Sequence, residues 1–200
     1  ALPILFKQKY VWLFFLGIFC YVSTEQGTSI FMSTFLEQYH GVNPQTDGAQ
    51  AVSYFWGLMT AGCLVGMLLL KLIDSKRLLQ ISGVLTIVLL LSALFGSKGI
   101  ALIAFPAVGF SISMMYSIVF SLALNSASQH HGSFAGILCS AIVGGAGGPM
   151  IVSTIADATS LRTGMLFILV FVGYITFIGF WARPLINNKT VKLKKLFKKA

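Results

Sequence analysis

Residues 78–96 read LLQISGVLTIVLLLSALFG, an apolar run that contains no charged side chain. A helix needs about 20 apolar residues to cross the roughly 30 Å hydrocarbon core of a bilayer. The run lacks the period-two alternation of a strand, so it predicts a membrane-spanning helix. Further runs of this kind make the chain an all-α membrane protein with six transmembrane helices, predicted at 11–36, 51–73, 78–96, 101–125, 134–156 and 163–182.

The composition of the whole chain indicates that lipid is its main solvent. Of the 200 residues, 56% are hydrophobic and 10% are charged, and the mean hydropathy is +0.87. A soluble domain carries about a quarter of its residues as charge and could not bury this much apolar surface. The net charge of +9 is spread between and after the apolar runs. This distribution argues against a nucleic-acid-binding protein.

Basic residues are distributed unevenly between the two sides of the predicted spans. If the N-terminus is cytoplasmic, only Lys98 and Arg162 lie outside. The inside residues are then Lys7, Lys9, Lys71, Lys76, Arg77, Arg183, Lys189, Lys192, Lys194, Lys195, Lys198 and Lys199. The positive-inside rule therefore places both termini in the cytoplasm. The predicted division is a six-helix bundle, 1–182, and a basic cytoplasmic tail, 183–200, which either fixes the topology or lies on anionic lipid headgroups.

Polar side chains recur inside the first predicted span, where they are costly. Glu25 is the only carboxylate deep inside a span, and such a group usually faces a cavity or a partner. Tyr21 lies on its helix face, and Gln26, Ser29 and Ser33 form a second polar stripe beside it. The pattern predicts a water-lined path that binds substrate hydroxyls or a proton. The alternative is hydrogen bonding between helices that only holds the bundle together.

The fourth and fifth spans carry the other features of a predicted transport path. In the fourth, Tyr116, Ser117 and Asn125 are polar candidates, although serine in a membrane helix serves packing about as often. In the fifth, a glycine-rich run predicts a break or sharp bend, which in transporters marks a site or a moving element. The alternative is close helix crossing through small residues. The residues of this predicted break are Gly144, Gly145, Gly147, Gly148 and Pro149.

The sequence contains no recognisable enzyme chemistry. Cys20, Cys63 and Cys139 lie in apolar runs and lack metal-ligand or disulfide spacing. The serines in the spans have no membrane-embedded base, and nucleotide-binding and zinc-peptidase motifs are absent from the sequence. We therefore expect no enzymatic activity, no cofactor and no metal site.

Four segments of the chain carry a family resemblance. They are FCYVSTEQ at 19–26, SYFWGLMTAGCLVG at 53–66, IVFSLALN at 118–125 and GILCSAIVGGAGGPMIVSTIAD at 136–157. With them the chain resembles the C-terminal half of a major facilitator superfamily transporter, and within it the fucose/glucose/galactose–proton symporter family. The resemblance implies one bundle built as a repeat of three plus three helices. It also implies an N-terminal six-helix half as partner and a place in the bacterial inner membrane.

The resemblance further implies a function and a set of contacts. The function is proton-coupled uptake of a monosaccharide by alternating access, with the sugar held between two bundles near mid-membrane. The family varies between carboxylate and amide at the position of Glu25, so this residue suits sugar hydrogen bonding better than proton carriage. The implied substrate-binding residues are Tyr21, Glu25, Gln26, Ser29, Ser33, Trp56, Thr60, Tyr116, Ser117, Asn125 and Ser140.

Two other interpretations stay open at this stage. One is a self-contained six-span channel or carrier that acts as an oligomer, which predicts transport by this chain alone. The other is a transporter-like sensor that does not transport. The chain begins at Ala1 rather than Met, and the expectation is a cut or processed chain.

Overall fold

The structure is a computed structural model that describes residues 2–185; positions 186–200, most of the predicted basic tail, lie outside the described residues. Regular structure within 2–185 is helical throughout, which confirms the all-α prediction. The helices are α1 (Leu2–Phe6), α2 (Lys9–His40), α3 (Ala49–Leu72), α4 (Ser75–Phe95), α5 (Lys98–Ile112), α6 (Met115–Asn125), α7 (His131–Ser140), α8 (Gly144–Ala158), α9 (Leu161–Leu166) and α10 (Ile168–Trp181).

Five helical stretches of the described chain are long and apolar enough to cross a membrane. They coincide with the last five predicted spans, and the first of these five begins earlier than predicted because a π-helical turn precedes α3. The first predicted span, 11–36, lies within the 32 residues of α2, which is not among the five. Polar residues in the middle of α2 lower its mean hydropathy. The five stretches are Pro44–Leu72, Ser75–Phe95, Lys98–Asn125, His131–Ala158 and Leu161–Trp181.

The last three of these stretches are each interrupted within the span. α5 ends before Ser113–Met114, and a tighter 3-10 turn, Ala141–Val143, separates α7 from α8. The predicted break within 144–149 is therefore wrong in position, since this run forms the first part of α8 with Pro149 inside the helix. The glycines serve close packing instead, because α2 leaves no room for side chains on several of them.

Two close helix crossings organise the bundle. α8 packs against α2, and α3 packs against α5. At the first crossing, a Cβ on Gly144 would collide with the carbonyl oxygen of Phe19. At the second, a Cβ on Gly109 would collide with the carbonyl oxygen of Phe55. Small residues at membrane helix crossings allow backbones to approach closely, which is the packing that lipid-embedded helices depend on.

The contacts of α2–α4 are repeated by those of α5–α10. α3 packs on α5 as α8 packs on α2, and α4 packs on α5 as α10 packs on α2. α4 and α10 also pack against each other. Exchanging the first set of three spans with the second therefore preserves these contacts.

Candidate functional site

Glu25 lies at the middle of α2, 16 residues after Lys9 (25 − 9) and 15 before His40 (40 − 25). The Tyr21 hydroxyl, one helical turn away, donates a hydrogen bond of 2.7 Å to Glu25 Oε2. The Gln26 amide donates one of 3.2 Å to Glu25 Oε1. Both carboxylate oxygens are thus held by neighbours from the same helix, while the side chain stays partly exposed.

Tyr21 connects this cluster to an aromatic wall on α6. Its ring centre lies 5.6 Å from that of Tyr116, and Tyr116 stacks on Phe120 at 5.7 Å. A carboxylate and an amide beside aromatic rings offer hydrogen bonds and an apolar face, the two kinds of contact that a sugar can use.

The glycine run of α8 lies directly behind this cluster. A Cβ on Gly145 would lie 3.5 Å from Gln26 Cγ, at ordinary van der Waals distance. The hydroxyl of Ser23 donates a 3.0 Å hydrogen bond to the carbonyl oxygen of Gly144. The position of α8 is therefore coupled to the part of α2 that holds Glu25.

Three predicted contacts on α2 and α6 do not join the cluster through their side chains. Ser29 lies one turn from Glu25, but it is buried and its hydroxyl donates to a carbonyl of its own helix. Ser33 donates at 3.5 Å to the carbonyl of Pro44, in the turn after α2. Asn125 ends α6, nine residues (125 − 116) and roughly 13 Å beyond Tyr116 at 1.5 Å per residue.

The remaining predicted contacts lie on the exposed surface. Trp56, Thr60, Ser117 and Ser140 are all exposed in the described chain. The Thr60 hydroxyl donates at 3.1 Å to the Trp56 carbonyl, and Ser140 donates at 2.7 Å to a carbonyl of its own helix. Within residues 2–185, none of the four is hydrogen-bonded to Glu25.

Arg162, which the sequence indicated only as an outside charge, lies in an aromatic cage. Its guanidinium carbon is 4.4 Å from the ring centre of Tyr39, 5.5 Å from that of Phe95 and 5.8 Å from that of Phe35. Its backbone N–H also donates at 3.3 Å to the Tyr39 hydroxyl. These cation–π contacts tie the start of α9 to the ends of α2 and α4.

A polar cavity of about 420 Å³ shares Tyr39 with this cage. It lies between the end of α2 and the end of α8. Its polar lining includes Thr34, Gln38, Ser153 and Asp157. This cavity has no signature in the sequence, because its residues come from helix ends that are distant along the chain.

The curated relatives of the chain are bacterial sugar transporters, while no family model matches it. It is 35% identical over 166 residues to a glucose/galactose transporter of Brucella abortus biovar 1 (strain 9-941), with 82% of this chain and 40% of the relative covered. A putative glucose/galactose transporter of Helicobacter pylori (strain ATCC 700392 / 26695) is 31% identical over 164 residues, with the same shares covered. The chain thus spans about two-fifths of the length of these relatives.

Two solved structures share this fold, one of them from Escherichia coli. A variant of the fucose:proton symporter FucP matches with a TM-score of 0.84 and 18% identity, over 91% of this chain and 45% of that one. FucP in an outward conformation matches with a TM-score of 0.78. The named relatives are transporters and not enzymes, in agreement with the expectation from the sequence. Over the matched region the chain is similar to glucose/galactose transporters, and it has the fold of about half of FucP, which is itself a major facilitator superfamily transporter.

Proposed function

We propose that this chain is the C-terminal six-helix bundle of a proton-coupled monosaccharide transporter that works by alternating access. The observation that carries the proposal is the partly exposed cluster of Tyr21, Glu25 and Gln26 at the centre of α2. A carboxylate at such a depth costs about 3 kcal/mol on insertion scales and usually faces a cavity or a partner. The names of the relatives, glucose/galactose transporters and a fucose:proton symporter, support a sugar as the substrate.

In this proposal α2 also crosses the membrane. It comes first in chain order and, with the five stretches already named, makes six spans. Its 32 residues extend about 48 Å at 1.5 Å per residue, which is more than the hydrocarbon core requires. The polar centre of α2 packs beside α8 and α6 rather than standing alone in lipid. The repeated contacts of α2–α4 and α5–α10 support a repeat of three plus three helices, an arrangement that transporters use.

An N-terminal bundle would cover the exposed polar face of this chain. Glu25, Thr60, Ser117 and Ser140 leave polar groups at positions that lipid would disfavour. The relatives are more than twice as long as the matched region, which leaves room for such a bundle. The sugar would then lie between the two bundles, with both termini of this chain on the cytoplasmic side of a bacterial inner membrane.

The cluster is suited to hold a sugar by its hydroxyls. Both neighbours of Glu25 donate to it, so its remaining lone pairs can accept from sugar hydroxyl groups. Gln26 can both donate and accept, and the Tyr116 ring can stack on the apolar ring face. Because Glu25 already accepts two hydrogen bonds, we assign it to sugar binding rather than to proton carriage.

We assign the moving contact to the crossing of α2 and α8. The 3-10 turn Ala141–Val143 directly precedes the glycines, and such an irregular stretch can absorb a change in helix direction. Gly145 lies against Gln26, so a shift of α8 would change the packing around the Gln26 side chain of the cluster. Alternating access would then change the packing of the glycine run while the sugar stays on α2.

The test is sugar uptake by the full protein that contains this chain, purified and reconstituted into liposomes with an imposed proton gradient. Uptake of labelled glucose, galactose and fucose is compared for wild type, Glu25→Gln, Glu25→Ala and the control Glu37→Gln. Glu37 is an exposed carboxylate near the end of the same helix. Loss of a charged hydrogen-bond partner predicts uptake at least about tenfold lower for Glu25→Ala, with Glu37→Gln near wild type.

Two results would overturn the proposal. Normal uptake by both Glu25 variants, with unchanged sugar affinity and proton dependence, would leave Glu25 as a packing residue. Uptake by residues 1–200 alone in liposomes would show that the chain is a self-contained carrier and not one half of a larger transporter.

A further inference from the structure

A second cavity lies at the opposite end of α2 from the aromatic cage. Its volume is about 550 Å³, and it opens where α2 begins and α10 ends. Lys7, Lys9 and Arg183 contribute to its lining, and all three are exposed. Among the residues that the structure describes, the lining of this cavity contains no acidic side chain. Three cations in one cavity repel one another, so the cavity favours an anion as its occupant.

The same cavity has an apolar part. Phe14 is fully buried, and its ring centre lies 5.1 Å from that of Trp181. Leu13, 40% exposed, lies one turn along α2 from Lys9. Lys9 lies at the first residue of α2 and the apolar side chains one turn further into the span. The cavity therefore changes from cationic to apolar in the direction that leads into the membrane.

We propose that this cavity binds an acidic phospholipid such as phosphatidylglycerol. Lys7, Lys9 and Arg183 hold the phosphate, and an acyl chain lies along Leu13 and Trp181. Basic pockets between membrane helices are known to select anionic headgroups. Tryptophan is also enriched at the level of the headgroups, where its amphipathic ring is stable.

A free phosphate would use only the cationic part of the cavity. The apolar part provides the extra contact that a lipid makes and an inorganic ion does not, since each buried CH₂ adds about 0.8 kcal/mol in transfer free energy. The inference goes beyond sugar transport and requires only that the bundle lies in a membrane.

The test is lipid retention by the full protein, measured by native mass spectrometry during titration with phosphatidylglycerol. The pocket variant is Lys7→Gln/Lys9→Gln/Arg183→Gln. The matched control is Lys71→Gln/Lys76→Gln/Arg77→Gln, which removes the same charge from the same end of the bundle, since the Lys76 carbonyl lies against Gly179 near the end of α10. At about one kcal/mol per basic residue, the pocket variant should bind on the order of 100-fold more weakly, and the control no more than a few-fold.

Further arms identify the source of the phosphate. Millimolar inorganic phosphate should leave the lipid bound, and phosphatidylcholine should be retained less than phosphatidylglycerol. Trp181→Ser, which keeps all three cations, should weaken lipid binding severalfold. Equal losses in the two triple variants, displacement by inorganic phosphate, or no preference for phosphatidylglycerol would each overturn the proposal.

Should the triple variant fail to fold, Arg183→Gln against Arg77→Gln gives the same comparison with one charge. The measurement contains no sugar and no gradient. A protein that transports no sugar can therefore still retain the lipid, and a transporter of sugar can still fail to do so.

Discussion

The crossing of α2 with α8 and the crossing of α3 with α5 use the same packing device in different chemical surroundings. Each brings a glycine against a backbone carbonyl, Gly144 at the first and Gly109 at the second. At the first crossing, Ser23 donates across the interface, and Gln26 of the candidate site adjoins the next glycine along. The first crossing is thus a polar link to the cluster.

The second crossing is packed by side chains that mostly satisfy their own helix. Gly62 and Gly66 of α3 lie against Ser113 and Met114. The Ser113 hydroxyl donates at 2.8 Å to the Phe110 carbonyl oxygen, near the end of α5 in the same span, and the Cys63 thiol lies 3.4 Å from the Ser113 carbonyl oxygen. Close packing alone does not distinguish a structural crossing from a functional one. We expect the first crossing to govern stability and transport, and the second to govern stability alone.

The largest expected effect is shared by the two crossings. Gly144→Val and Gly109→Val each place a branched side chain against a backbone carbonyl that cannot rotate away, so we expect each to destabilise the fold by about 3 kcal/mol. Thermal unfolding of the detergent-solubilised protein measures this. Gly57→Val is the control, because no atom lies within 4 Å of a Cβ there. If either crossing variant unfolds at the same temperature as wild type, the packing described for that crossing is wrong.

A second prediction separates the crossings by function. In Gly145→Ala the new methyl group meets Val22 Cγ1 at 3.2 Å and Gln26 Cγ at 3.5 Å, so it should fit with a small shift of the cluster. A distortion worth about 1 kcal/mol lowers the uptake rate about fivefold, while alanine in place of glycine favours the helix and preserves the melting temperature.

The control for this prediction is Gly136→Ala in α7, where the added methyl group has open space. Its uptake should equal that of wild type. Equal uptake by the Gly145 and Gly136 variants would show that the first crossing is as purely structural as the second.

The smallest expected effect concerns the two serines. Ser23→Ala removes the hydrogen bond to Gly144 across the first crossing, which we expect to cost about 0.6 kcal/mol. Ser113→Ala removes a hydrogen bond to Phe110 within the same span and should cost less. Urea or thermal unfolding in detergent compares the two variants. A larger loss of stability in Ser113→Ala than in Ser23→Ala would contradict the distinction between the two crossings.

Much of the fold could be predicted because a span is a local property of the sequence. The run at 78–96 and its counterparts placed five helical stretches within a few residues, apart from the early start at Pro44. The helix was predicted to break at 144–149, but the irregular turn lies at 141–143. The glycines are helical because they pack closely against α2, and the sequence does not reveal that α2 lies there.

The candidate site was predictable where its members share one helix. Tyr21 and Glu25 are one turn apart, and the structure brings them together with Gln26. Ser33 and Asn125 were grouped with them because they are polar, but depth along the helix separates them from the cluster. The substrate-binding role of all these residues is still a prediction.

The aromatic cage could not be predicted from local pattern. Phe35 and Tyr39 are spaced as neighbours on one helix face, which suggests a pair of stacked rings but not a cation between them and Phe95. Arg162 comes from the other end of the chain. Only the folded arrangement of α2, α4 and α9 brings the charge to the rings.

The polar middle of α2 has a consequence for how the protein is made. A segment that carries Glu25 and Gln26 at its centre partitions weakly from the translocon into lipid when it emerges alone. The helices that shelter this face, α6 and α8, are synthesised after it. We therefore expect residues 1–143, expressed by themselves, to leave α2 poorly integrated in the membrane, because α8 is missing from that chain.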